Sequence, residues 1–199
     1  MTDDKLRQKW DQRYQQAGTA PCALEVLVEN LHLLPLEGSA LDLACGLGGS
    51  GLLLAERGLN TRAWDLSPVA IDALKTRAAK LPLIAEVRDV VRLPPPPGGY
   101  DVICVGHFLD REICPEIAAA LRPGGLLFYQ TFTRERVDQT GPGTEHYRLG
   151  PNELLELFPG LLVRFYREEG RVGDPARGFR NRAQLVAQQP QTTSGPRSE

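Results

Sequence analysis

No apolar run in this chain approaches the roughly 20 residues that a bilayer crossing needs, so a membrane span is not expected. The opening stretch, MTDDKLRQKW, is charged and lacks the apolar segment of a secretory signal. Only four cysteines occur, Cys22, Cys45, Cys104 and Cys114, and none is paired at metal-site spacing. They read as reduced thiols, a cytoplasmic protein is expected, and no metal site is visible. An excess of basic charge is missing too. The formal net charge of -2 gives no global field to hold a phosphate backbone, which disfavours nucleic acid as substrate or partner. What remains is ordinary for a soluble globular chain: 42% apolar and 24% charged residues. With 199 residues there is room for one sizeable core and too little for two comfortable domains.

The informative stretch runs from Ser39 to Gly58, SALDLACGLGGSGLLLAERG. Ala40 to Ala44 reads as a buried strand, the glycines from Gly46 to Gly51 as a turn, and Leu52 to Arg57 as a helix stopped by Gly58. Strand, glycine turn and helix make the front half of a nucleotide-binding βαβ unit. The spacing Gly46-x-Gly48-x-x-Gly51 alone is a weak signal. Two acids sharpen it. Asp42 lies in the strand, four residues before Gly46, where a carboxylate suits a cationic ammonium group better than a pyrophosphate. Asp65 ends the next apolar segment, nineteen residues after Gly46, where a ribose-binding acid belongs. Acid, glycine turn and acid suit a ligand with an amino-acid end and a ribose, such as S-adenosylmethionine.

DLACGLG followed by AWDLSP, VRDV, YDVICVGHFLD and LRPGGLLFYQTF resembles the class I S-adenosylmethionine-dependent methyltransferase series, in order and spacing. With WDQRY near the start, the flanks resemble the tellurite-resistance-like branch. The resemblance covers roughly residues 5 to 188, with Ala44 standing where the family commonly has glycine. It implies an α/β fold: a doubly wound, Rossmann-like, seven-stranded and mainly parallel sheet with an antiparallel last strand and N-terminal helices. The expected division is a helical lid over 1–36, the methyltransferase domain over 37–188 and a disordered polar tail over 189–199.

The resemblance also implies site residues. The cofactor is expected on the glycine turn at Gly46 and Gly48, and at Asp42, Asp65 and Leu66. Cys45 either touches the ligand or is a small buried filler. Asp89 is expected to accept from the adenine amino group, with Val90 offering an apolar surface or a backbone contact. Residues 3 to 17 read as a charged helix with Leu6, Trp10 and Tyr14 on one face. It either packs its aromatic stripe on the body or covers the site, with Arg13 reaching the cofactor carboxylate.

The end of the fourth strand, YDVICV, carries His107, Phe108 and Arg111, where a doubly wound sheet places its ligands. Phe108 is expected against the cofactor. His107 is a candidate cofactor contact and the one candidate base, a neutral imidazole near pH 7 being usable for proton transfer. Arg111, Tyr129 and Arg148 are the candidate acceptor contacts. The polar stretch Thr133 to Leu149 reads as a mobile loop over the acceptor pocket. Arg164, Arg167, Arg171, Arg177, Arg180 and Arg182 either guard a strand edge or face the cleft, which would favour an anionic acceptor. The run from Pro94 to Pro97 reads as a rigid extended connector.

The expected activity is methyl transfer to a small molecule, a thiol or a chalcogen oxyanion such as tellurite, by a monomer or homodimer. Alternatives are methylation of RNA or protein, or a binding module without turnover. A nicotinamide-dependent oxidoreductase is opposed by Asp42 and by LRPGG.

Overall fold

The computed structural model describes residues 3–16 and 21–191. The expected tail thus lies outside the described residues from 192 onward, and Gln189 is tied down by backbone hydrogen bonds with Gly124 and Gly125.

Seven strands form one sheet: β1 (Ser39–Leu43), β2 (Asn60–Asp65), β3 (Leu83–Val87), β4 (Tyr100–Gly106), β5 (Leu121–Phe132), β6 (Leu162–Glu168) and β7 (Arg182–Gln188). Their spatial order is β3-β2-β1-β4-β5-β7-β6. The pairs among β1 to β5 are parallel, and β7 runs antiparallel to both β5 and β6. This is the seven-stranded, mainly parallel sheet with an antiparallel last strand that the sequence implied.

Alternation sorts the strand side chains onto two faces. Leu41, Leu43, Ile103, Val105, Leu127 and Tyr129 point into one core. Ala40, Val102, Cys104, Phe128 and Val186 point into the other. Helix α5 (Cys114–Ala120) and the short α6 (Glu153–Glu156) cover the first face through Ile117, Leu154 and their neighbours. α2 (Glu25–Glu29) and α3 (Gly49–Glu56) cover the second through Val26, Leu27 and Leu54. Each such fully buried leucine contributes about 1.5–3 kcal/mol. α4 (Pro68–Arg77) packs Ile71 and Leu74 against Ala63 and Ala85 at the β2–β3 end. Its N-cap is Ser67, whose Oγ accepts from the Ala70 amide at 3.2 Å, with Pro68 in the first turn.

Helix α1 (Asp3–Gln16) lies against α4. The hydroxyl of Ser67, already capping α4, donates a short hydrogen bond to the Asp11 carboxylate. The second helix is short: α2 ends at Glu29 and a single 3-10 turn follows at Leu31–Leu33. In LRPGG, the residues after α5 turn directly into β5, and the β4–β5 register slips between Tyr100 and Val102. At Gly125 a Cβ would stand 2.9 Å from the Arg122 carbonyl oxygen and 3.1 Å from that of Tyr100, so the strands close only around glycine. Among the described residues, no helix is long and apolar enough to cross a membrane.

Candidate functional site

The carboxyl ends of β1 to β5 open into a cavity of about 540 Å³. Its floor is built from the turn after β1 and the ends of β2, β3 and β4. One wall is α1, through Leu6, Trp10, Arg13 and Tyr14. Another part of the wall is Phe132, at the end of β5, with Thr140, Gly141 and Pro142 of the following loop. A smaller cavity of about 210 Å³ adjoins it, sharing Ala44, Cys45, Gly106 and His107 and adding Asp42 and Gln130.

The turn after β1 is held by the acids on either side. Asp42 Oδ2 accepts from the Gly51 amide at 2.7 Å. Burial pushes the Asp42 carboxyl up to about 8, against the help of that hydrogen bond. Asp65 Oδ2 accepts from the Gly46 amide at 2.8 Å and Oδ1 from the Ser67 amide at 2.9 Å, which fixes the glycine turn to the start of α4. Burial raises the Asp65 carboxyl too, opposed by the amides of Ser67 and Gly46. Ala44 holds φ of +54°. This left-handed conformation explains why glycine is common there in the family the sequence resembles.

The expected cofactor residues Cys45, Gly46, Leu66, Val90, Phe108 and His107 all line the main cavity. So do Arg13, Asp65 and Asp89, while Asp42 lines the adjoining one. Cys45 donates to the Gly46 carbonyl at 3.5 Å, and burial pushes its thiol up, which disfavours the thiolate. Asp89 Oδ1 caps the next turn by accepting from the amides of Val91 and Arg92 at 3.0 and 3.2 Å. Arg13 lies over the Trp10 ring, 5.3 Å from its centroid. Gly48 is the exception. It takes φ of +80° to start α3, and a Cβ there would collide with the Leu74 side chain, so it serves packing and the turn rather than the cavity wall.

His107 stands between the two cavities. Its φ of +54° is strained for a residue with a Cβ, and its amide is held by the Gln130 carbonyl at 2.8 Å. Its ring packs on Phe132 with centroids 5.0 Å apart. Burial lowers its pKa, and the guanidinium of Arg182 adds to the effect, so the imidazole is neutral at pH 7. Among the described residues no hydrogen-bond partner reaches the ring, which leaves its nitrogens for a ligand.

The three expected acceptor contacts are framework residues instead. Arg111 forks onto Glu153 at 2.5 and 3.1 Å and donates to the carbonyls of His146 and Arg148. Tyr129 is fully buried against Phe158, and its hydroxyl donates to the Phe108 carbonyl at 3.0 Å. Arg148, 1% exposed, donates to the carbonyls of Pro142, Thr133 and Thr140 at 2.7, 2.9 and 2.6 Å. None of the three lines the cavity, because each satisfies its polar atoms inside the protein. The C-terminal arginines also stay out of the cavity wall. Arg164 binds Gln188, Arg167 pairs with Glu169, Arg182 pairs with Glu25, and Arg180 donates to five backbone carbonyls.

Sequence reasoning did not assign Phe132, Ala44, Arg88 or Pro142 to the wall. The signal for Phe132 was its place at the end of β5, three residues beyond Tyr129 and on the opposite side of that strand's last turn of alternation. Arg88 lies flat over Trp64, 4.0 Å from the ring centroid, and donates to the carbonyls of Leu93 and Pro94 at 2.7 and 3.0 Å. The proline connector is anchored by these bonds.

Residues 40–125 match the methyltransferase domain family. An uncharacterized methyltransferase from Mycobacterium tuberculosis is 33% identical over 142 residues, spanning 69% of this chain and 49% of the relative. The chain thus covers about half the length of this curated relative. Among solved structures, TehB from Haemophilus influenzae superposes with a TM-score of 0.68 at 22% identity, over 91% of this chain and 67% of that one. A structure reported for conversion of a disulfide bond into a thioacetal group during echinomycin biosynthesis superposes with a TM-score of 0.70 at 20% identity, over 95% and 94% of the two chains.

Proposed function

We propose, from the match of residues 40–125 to a methyltransferase domain family and from the site geometry, an enzyme that transfers a methyl group from S-adenosylmethionine to a small-molecule acceptor. The observation that carries this reading is the pairing of two buried acids on one glycine turn, Asp42 through Gly51 and Asp65 through Gly46.

The residues present fit the cofactor. Asp42 suits its ammonium group, Asp65 its ribose hydroxyls, and Asp89 with Val90 its adenine. Arg13 is the cation of α1 available for its carboxylate. When bound, the cofactor supplies a methyl group on a sulfonium that is already a good leaving group. The chain's own work is to orient the acceptor and exclude water, which contributes up to about 7–11 kcal/mol in well-aligned cases. α1 acts as a lid: its stripe of Leu6, Trp10 and Tyr14 closes one side of the cavity, latched through Asp11 to Ser67. His107, neutral and unpartnered, accepts a proton from the acceptor. The acceptor carries a soft nucleophile, a thiol first, with tellurite tried beside it because the sequence resembles the tellurite-resistance-like branch.

Incubation with methyl-labelled S-adenosylmethionine and three separate pools tests this reading: small metabolites with added thiols and tellurite, total RNA, and total protein. Label in the small-molecule pool alone is expected. Label in RNA or protein would overturn the acceptor class, and cofactor binding with no transfer to any pool would make the chain a binding module.

A further inference from the structure

The acceptor half of the main cavity is bounded by β4's end, β5's end, the loop after β5 and α1. Its contact surfaces there are the Phe132 ring, Pro142, Leu6 and Trp10, with the His107 ring packed on Phe132 at a tilt of 32° and 5.0 Å between centroids. The Phe132 ring is held from three sides. His107 packs on it, the Arg148 guanidinium lies 5.7 Å from its centroid, and Gly141 rests so close that a Cβ there would collide with the ring. Gly141 holds φ of +92°, a left-handed conformation suited to glycine, so the wall is pressed onto Phe132 by design of the loop backbone. Arg148 locks that loop by its three carbonyl bonds.

Cations that an oxyanion would need are committed elsewhere. Arg111 is neutralised by Glu153, and Arg182 by Glu25. Arg148 is spent on carbonyls and Arg88 on Leu93 and Pro94. Among the described residues, Arg13 alone of the cavity wall's arginines has no hydrogen-bonded partner, and it sits on α1 beside the glycine turn, where the cofactor carboxylate belongs. An isolated oxyanion placed against Phe132 and Pro142 would lose its hydration with no uncommitted cation there to replace it.

We infer that the acceptor is an uncharged small molecule with an apolar, preferably aromatic, body that lies between Phe132–Pro142 and Trp10 and turns its nucleophile toward His107, and that oxyanions such as tellurite are excluded. This rests on the methyltransferase reading above and narrows it. The ring of such a ligand gains offset or edge contacts with Phe132 and Trp10. Pro142 and the Phe132–Gly141 contact then set which bodies fit.

The test is a two-step calorimetric titration of the full chain. S-adenosylhomocysteine is added to saturation first, then either benzyl mercaptan or sodium tellurite, at a pH where the thiol is mostly protonated. Expected is saturable binding of benzyl mercaptan and none of tellurite. Pro142→Asp, an exposed-loop change that leaves the core alone, should weaken benzyl mercaptan binding at least tenfold while S-adenosylhomocysteine binding stays within twofold. Phe132→Leu should weaken it three- to tenfold, checking the same wall with a residue that keeps the volume apolar. Tellurite binding in place of the thiol, or binding of neither after the cofactor product has bound, overturns the acceptor class and leaves the enzyme reading standing. Failure of S-adenosylhomocysteine to bind overturns both.

Discussion

The Asp65 carboxylate accepts from the Gly46 amide at 2.8 Å, so the end of β2 holds the glycine turn that follows β1. The same side chain holds Ser67 at 2.9 Å and faces the cavity. It therefore has a structural task, and in the proposed reading a binding one as well. Asp65→Ala leaves two buried amides without an acceptor and is expected to cost about 1–3 kcal/mol per unpaired group in stability. Asp65→Asn keeps one amide acceptor and loses the charge. It should fold better than the alanine variant yet still bind the cofactor about 1–3 kcal/mol more weakly. Urea unfolding and calorimetry on the two variants separate the tasks.

Asp42 gives a pH signature. Its folded carboxyl titrates near 8, above the 3.8 of an ordinary carboxyl. The sign follows: the folded state holds a proton that the unfolded state has released, so this group's contribution is full below about 4 and is lost as pH rises through about 8. A cofactor ammonium beside it favours the ionised form. Binding at pH 7 should release a proton, seen as a binding heat that varies with buffer ionisation enthalpy. Asp42→Asn should remove that variation, and its persistence in the variant would assign the proton to another group.

Ala44 at φ +54° carries a conformational cost that glycine does not. A left-handed alanine is disfavoured by about 1–2 kcal/mol, partly offset by the greater freedom of glycine in the unfolded chain. Ala44→Gly is expected to stabilise the protein by about 0.5–1 kcal/mol, read as a raised Tm, with cofactor affinity unchanged.

Arg148 tests the loop. Replacing it with Met fills the apolar volume beside Phe132 but strips three carbonyls of their charged donor. The expected cost is about 3 kcal/mol, the scale of bonds to a charged group. Limited proteolysis should then cut within 133–149 faster than in the wild type. Unaltered proteolysis would mean that the loop is held by other contacts.

The sheet was legible because periodicity and glycine punctuation report backbone geometry directly. Ala40 to Ala44 and the acid at Asp65 landed within a residue or two of the structure. The fall of α2 into a 3-10 turn at Leu31 was not legible, since leucine-rich helix and turn look alike in sequence. The cavity-lining residues at the ends of β1 to β4 were readable because a strand end fixes where its next side chain points. The acceptor side was not. Arg111, Tyr129 and Arg148 carry chemistry suited to a ligand, but their partners come from residues up to 42 positions away, as with Arg111 and Glu153. Whether an arginine faces a cavity or a carbonyl depends on tertiary packing that local pattern does not encode.

Calorimetric titration of S-adenosylmethionine into the wild-type chain and into Asp65→Asn tests the central claim most directly. The expected result is saturable one-to-one binding in the wild type and binding about tenfold or more weaker in the variant, the equivalent of about 1.4 kcal/mol. No binding to the wild type, or equal affinity in the two proteins, would contradict the placement of the cofactor between Asp42 and Asp65.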